Sequence, residues 1–281
     1  MPEVHALADD LAQRLDGHAI ARFEVLAFSA LKTFDPPASD VIGRTVEDVT
    51  HFGKFLDVDL GDLHVVIHLA KAGWVRWYDA LPTARNRVIA ARIGLDDGSG
   101  IQITEAGTKK SLSISVVCDP LDVPRVATLG PDPLDDAFTA ERLAEVLRAA
   151  GKAQIKGVLR DQARIAGIGN AYSDEILHAA KMSPFKPAAM TPEEVARLHE
   201  AMRTVLADAI RRSEGLHMAD LKGEKKAGMR VHGRTGEACP VCGDTIRQVR
   251  FADNSLQYCP TCQTGGKPLA DRALSRLGIT T

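Results

Sequence analysis

Two C-x2-C pairs, Cys239/Cys242 and Cys259/Cys262, constrain this chain more than any other feature of its sequence. Sixteen residues separate the pairs, and each sits in a knuckle-like context, CPVCG and CPTCQ, where Pro and Gly shape tight turns. Four thiolates so spaced suit tetrahedral Zn2+. The competing reading is a set of structural disulfides, which needs an oxidising compartment. The opening MPEVHALADDLAQRL has no basic patch followed by an apolar run, so it does not read as a secretion signal. Between the pairs, TIRQVRF and LQYC are β-prone runs separated by the turn signal ADNS. They predict a hairpin stapled by one structural zinc and too small to hold a core without it. Such a ribbon serves DNA binders, RNA binders and structural modules alike. The fifth cysteine, Cys118 in SLSISVVC, reads as a core residue.

The cysteines lie in a basic part of the chain. The formal charge of −2 over 281 residues argues against a nucleic-acid partner only if it is evenly spread. From Arg211 onward, 12 Lys+Arg face 7 Asp+Glu, whereas the preceding part holds 23 against 30. The basic end is either a surface for an anionic partner or a solvated face. No run of 18 apolar residues exists, so no membrane span and a cytoplasmic location are expected.

At roughly 100–200 residues per domain, the length predicts two domains. Val4, Leu7, Ala8, Leu11 and Leu15 recur at helical spacing, giving a first helix to about Asp16-Gly17. Strand-like runs follow: ARFEVLAF, FLDVDL, LHVVIHL, WVRWY, RVIAARIGL, GIQITE and SLSISVV. Short turns between several of them indicate an antiparallel sandwich. In VATLGPDPLDD the strand pattern stops and Pro, Gly and Asp accumulate, which puts a boundary near residue 130. Helical patterns come next: FTAERLAEVLRAA, IKGVLRDQARIA, SDEILHAAK and TPEEVARLHEAMRTVLADAIRRS. Gly167-Ile168-Gly169-Asn170 joins the second and third. Its glycines either reverse the chain or let a phosphate reach the amides of the next helix start.

The string KGVLRDQARIAGIGNAYSDEILHAAKMSP, with GRTGEACPVCG and YCPTCQ, resembles the formamidopyrimidine-DNA glycosylase/endonuclease VIII family. LGPDPL at the boundary, GKFL at 53–56, HLAKAG at 68–73 and Pro2-Glu3 extend the resemblance over most of the chain. It implies an α+β chain: an N-terminal antiparallel β-sandwich flanked by helices (1–130), a helical domain with a helix–two-turns–helix motif (131–230), a zinc ribbon (231–265) and a tail (266–281). It also implies a monomeric, nucleoid-associated enzyme that excises damaged bases from double-stranded DNA and cuts the strand at the abasic site. Such an enzyme expels the target nucleotide from the stack.

The same resemblance assigns roles. Pro2, freed by removal of Met1, becomes the amine that forms a Schiff base with the sugar. Glu3 becomes the general acid/base and Lys54 the lysine at the target nucleotide and its phosphate. Lys156, Asn170 and Tyr172 hold the strand backbone. His68 is a positioning or core histidine.

Three departures accompany the likeness. Openings such as MPELPEVE carry a short spacer before the helix, whereas Val4 here follows Glu3 directly, so Pro2-Glu3-Val4 also matches the second P-E-V of that opening. Asn254 stands where the family has an Arg that grips phosphates, and Arg247 and Arg250 are the nearby cations. Lys71 replaces the Met that fills the gap left by the expelled base, and EAGTKKS, with Lys109 and Lys110, replaces a D-x-R-R-F-G loop. In the tail, Ala270, Ala273, Leu274 and Leu277 suggest a short amphipathic helix. Three readings result: an active glycosylase/lyase, a relative that binds damaged DNA without the conventional lyase step, and a zinc-ribbon interaction protein unrelated to DNA.

Overall fold

A computed structural model describes residues 2–252 and 254–270. The tail residues Ala273, Leu274 and Leu277 lie outside the described residues. The first helix, α1 (Pro2–Leu15), begins at Pro2 itself. Strands β1 (Ile20–Val25), β2 (Asp48–Phe52), β3 (Phe55–Asp59), β4 (His64–His68), β5 (Gly73–Tyr78), β6 (Ile89–Leu95), β7 (Gly100–Glu105) and β8 (Ser113–Val117) follow. They form two antiparallel four-stranded sheets in the orders β1-β6-β7-β5 and β2-β3-β4-β8. One core joins the inner faces: Leu56, Val58, Val65 and Ile67 from one sheet, Ile93, Ile101 and Ile103 from the other, and Leu7, Leu11 and Leu15 from α1. Replacing any fully buried Leu or Ile of this set by Ala should cost about 2–5 kcal/mol. The predicted strands are all present, but β2 in VEDVTHF is an addition. Its Asp48, Thr50 and His51 hide the strand pattern behind polar side chains.

The outer face of β3 is also buried. The short helix α2 (Pro124–Ala127) brings Val126, with Val123 before it, against Phe55, Val66 and Val117. Cys118 corrects an expectation: it is exposed, because β8 ends at Val117 and the chain turns away at Asp119-Pro120.

The second body holds α3 (Ala140–Ala150), α4 (Ile155–Arg160), α5 (Asn170–Ala179) and α6 (Pro192–Ser213) around Leu143, Leu159, Ile165, Ile168, Ile176 and Leu198. The helix predicted through Ala166 stops at Arg160, and two turns replace its second half. Gln162 clamps them: its amide nitrogen donates to Arg160 O (2.9 Å) and Ile168 O (2.8 Å), and its oxygen accepts from Gly167 N (3.0 Å). Helix α7 (Leu221–Gly228), the hairpin β9 (Arg247–Arg250) with β10 (Ser255–Tyr258), and α8 (Pro260–Thr264) complete the chain.

The chain divides into two compact units. Among the described residues, one contains 2–129 and 213–222, the other 130–212 and the described part of 223–270. Residues 213–222, expected inside the helical domain, therefore group with the sandwich. Met218 and Leu221 lie in its core, and Met218 N donates to Asp10 Oδ2 (3.0 Å).

Candidate functional site

In the sandwich unit, register gathers the expected catalytic residues at one end of a sheet. Phe52 pairs with Phe55, Phe55 with His68, and His68 with Ser113. That row closes the two-residue Gly53-Lys54 turn, where Gly53 adopts φ +57°. Lys54 is thus at a turn tip and half-buried. The turn after β4 carries Lys71 at the same end. It is tight: Gly73 N donates to Leu69 O (2.9 Å), and Ala70 takes φ +55° although it is not glycine. A residue other than glycine in that conformation stores strain of about 1 kcal/mol or more, as turns that present a functional side chain do. Lys71 is exposed on it. The loop bearing Lys109 and Lys110 enters β8 at this end too.

Helix α1 delivers Pro2 and Glu3 to the same place. His5 Nδ1 lies 3.0 Å from His51 Nε2 on β2, rings edge to face at 5.2 Å. His5 is one turn after Pro2, so this contact sets the start of α1 beside the end of β2. Pro2 and Glu3 are both buried in the first turn. His51 is held neutral, its pKa lowered to about 4 by burial above all and then by His5. His68 is lowered to about 4 by burial, then by Arg125 and Lys54. Its ring packs tilted against Phe55, centroids 4.6 Å apart, so it is a neutral packing and positioning group. No sequence signal joins His5 to His51, because their pairing exists only once α1 lies along β2.

In the helical unit the turn before α5 meets the hairpin. Asn170 Nδ2 donates to Ser255 O (2.7 Å), next to Asn254 and across the ladder from Arg250. Asn170 Oδ1 is buried without a hydrogen-bond partner among the described residues. Lys156 differs from expectation. Its ammonium is buried and donates to Asn170 O (3.1 Å), Ser173 Oγ (2.7 Å) and Asp174 Oδ1 (2.6 Å), which uses all three protons inside the protein. Lys156 therefore braces the Asn170 turn and does not offer its charge outward. Tyr172 is likewise buried, with Lys225 Nζ 5.3 Å from its ring centroid. The acidic pair beside it was not foreseen. Asp174 Oδ2 accepts from His232 Nδ1 (2.7 Å) and Gln257 N (3.2 Å), and Glu175 takes the amides of Arg230, Val231 and His232 at 2.8–3.0 Å. Two buried carboxylates thus fasten α5 to the hairpin module.

The four cysteines converge. Their sulfurs lie within 4.8 Å of one another, with Cys242–Cys259 at 3.3 Å and Cys239–Cys262 at 3.9 Å. A tetrahedral ion with Zn–S of about 2.3 Å needs sulfurs about 3.8 Å apart, and all four thiols are free of disulfides. His178 Nε2 sits 3.3 Å from Cys239 Sγ, a second-sphere hydrogen bond that orients a ligand.

Comparison with known proteins accounts for nearly the whole chain. Residues 1–108 match the formamidopyrimidine-DNA glycosylase N-terminal domain, 129–220 its H2TH domain, and 236–265 the zinc finger found in FPG and IleRS. The formamidopyrimidine-DNA glycosylase of Symbiobacterium thermophilum is 36% identical over 273 residues, covering 94% of this chain and 88% of that protein. The chain belongs to the formamidopyrimidine-DNA glycosylase family.

An uncharacterized formamidopyrimidine-DNA glycosylase-like protein of Mycobacterium tuberculosis is 60% identical over 155 residues, which is 55% of this chain and 96% of that one. Among solved structures, the Lactococcus lactis glycosylase bound non-covalently to abasic-site DNA superposes with a TM-score of 0.83 at 25% identity, covering 94% of this chain and 99% of that one. The glycosylase family fold is therefore that of this chain, and Cys239, Cys242, Cys259 and Cys262 hold its one structural zinc. Among the described residues, no helix is long and apolar enough to cross a membrane.

Proposed function

We propose that this chain removes damaged bases from double-stranded DNA and cleaves the resulting abasic site through a Schiff base on Pro2, acting as a monomer at the bacterial nucleoid. One observation carries the reading: Pro2, Glu3, Lys54 and Lys71 collect at one end of the sandwich, held there by the His5–His51 contact and the Phe52-Phe55-His68-Ser113 row. The first nitrogens of a helix have no intrahelical acceptor, so Pro2 in the first turn of α1 keeps its amine free of backbone duties. Removal of Met1 makes that amine the α-amino group. With a pKa of about 7.7–8.0, roughly a third of it is neutral near pH 7.5, against about a thousandth of an ordinary lysine. The positive end of the helix dipole opposes a further positive charge there.

The steps follow from the residues. Neutral Pro2 attacks C1′ and the damaged base departs. Glu3, adjacent and buried, exchanges the proton that opens the sugar. Lys54 at its turn tip meets the neighbouring phosphate, and Lys71 enters the space vacated by the base. Asn170, the hairpin tip with Asn254, and Arg250 hold the strand backbone.

Borohydride reduction with abasic-site DNA tests this reading. It should trap a covalent protein–DNA adduct that Pro2→Gly loses. Salt-sensitive DNA binding without any adduct would favour a DNA-binding relative that has lost the lyase step, a reading that Asn254 in place of a gripping Arg makes concrete.

A further inference from the structure

We propose that Asp9, His5 and His51 form a proton relay that receives the proton Pro2 must lose before it attacks. The inference rests on the Pro2 reading above and adds three residues to its chemistry. The acceptors around the pair favour one arrangement of protons. Asp9 Oδ2 lies 3.5 Å from His5 Nε2, an ion-pair distance, and can only accept, which favours a proton on that nitrogen. His5 Nδ1 then bears a lone pair and accepts from His51 Nε2–H across 3.0 Å. Neutral His51 is left with a lone pair on Nδ1. That atom is buried and has no hydrogen-bond partner among the described residues. A buried ring nitrogen without a partner is costly, and a catalytic role gives it a reason to persist.

The groups on the two elements packed here are Glu3, His5 and Asp9 on α1 and Lys54 on the β2–β3 turn, with apolar Leu56 across the ladder from His51. His5 follows Pro2 by three residues, which puts the two on the same face of α1. In the relay, the Pro2 ammonium gives its proton to His51 Nδ1. The proton on His51 Nε2 passes to His5 Nδ1. One positive charge leaves the proline and comes to rest on His5 beside the Asp9 carboxylate. No other bond changes. Because burial keeps His51 from holding charge, the proton passes through it and does not stay.

Full-length, zinc-loaded protein with Met1 removed is mixed in excess with abasic-site DNA, and the rate of borohydride-trappable adduct is followed from pH 6 to 9. His51→Ala should slow trapping at pH 7 by roughly tenfold to a hundredfold, converge on the wild type at high pH where solvent removes the proton, and recover with added imidazole. His5→Ala should act in the same direction. Trapping by His51→Ala at the wild-type rate throughout would overturn the relay. So would a uniform loss at every pH without imidazole rescue, which marks a merely structural role. Wild-type protein that forms no adduct at all would instead overturn the Pro2 reading, and the relay with it.

Discussion

Lys156 Nζ lies 2.6 Å from Asp174 Oδ1, and both groups are almost fully removed from water. Burial pushes the lysine toward its neutral form while Asp174 draws it back to the charged one. Asp174 also serves His232 and the Gln257 amide, so the pair ties the helical motif to the hairpin.

Removing the lysine strands a buried carboxylate. Lys156→Met should lower stability by about 3–5 kcal/mol, read from the urea midpoint. The salt dependence of DNA binding should change by much less than one phosphate contact. A loss of slope near one, with stability intact, would restore Lys156 as a direct phosphate ligand.

The hairpin tip offers the converse experiment. Asn254 has no charge, although it adjoins Ser255, which Asn170 grips. Asn254→Arg should tighten binding to damaged duplex and steepen the salt slope by about 1, measured by fluorescence anisotropy over a salt series. Unchanged affinity and slope would place the tip away from phosphates.

Metal analysis should find one zinc per chain. Stripping it with a strong chelator, or Cys239→Ser, should remove protection from exchange in 231–265 and abolish DNA binding, because apart from the cysteines the module's core is only two small groups, Val231 with Ile246 and Val249 with Leu256 and Tyr258. Retained protection after chelation would contradict a structural role for the ion.

Acid should reveal the buried histidines. His51 and His68 titrate near 4 when folded against about 6.5 unfolded, so the unfolded chain takes up protons first. Their contribution makes stability fall as pH drops from about 6.5 to about 4, and level off below. Asp57, raised to about 6 by burial, acts oppositely, losing stability as pH rises from about 4 to 6. Comparing variants separates them: His68→Gln should show a flatter melting-temperature profile than wild type across pH 4–6.5. Parallel profiles would refute the assignment.

The zinc ligands and most strands were legible because spacing and alternation are local properties. β2 escaped because its exposed face is polar, and α4 ended early because Gln162 satisfies the backbone that a helix would otherwise have used. Lys156 reads from the sequence as a cation for the strand backbone, since nothing in IKGVLRDQ indicates that Asp174 will stand 2.6 Å from it. The His5–His51 pair, 46 residues apart, depends on how a helix lies on a sheet, and no motif records that.

The central claim is that the Pro2 amine, once exposed by loss of Met1, attacks the sugar. Mass spectrometry of the peptides from the borohydride-trapped complex locates the bond. The account predicts the DNA remnant on Pro2 at the N-terminal nitrogen. An adduct on Lys54 Nζ, or no adduct from protein that binds abasic-site DNA tightly, would contradict it.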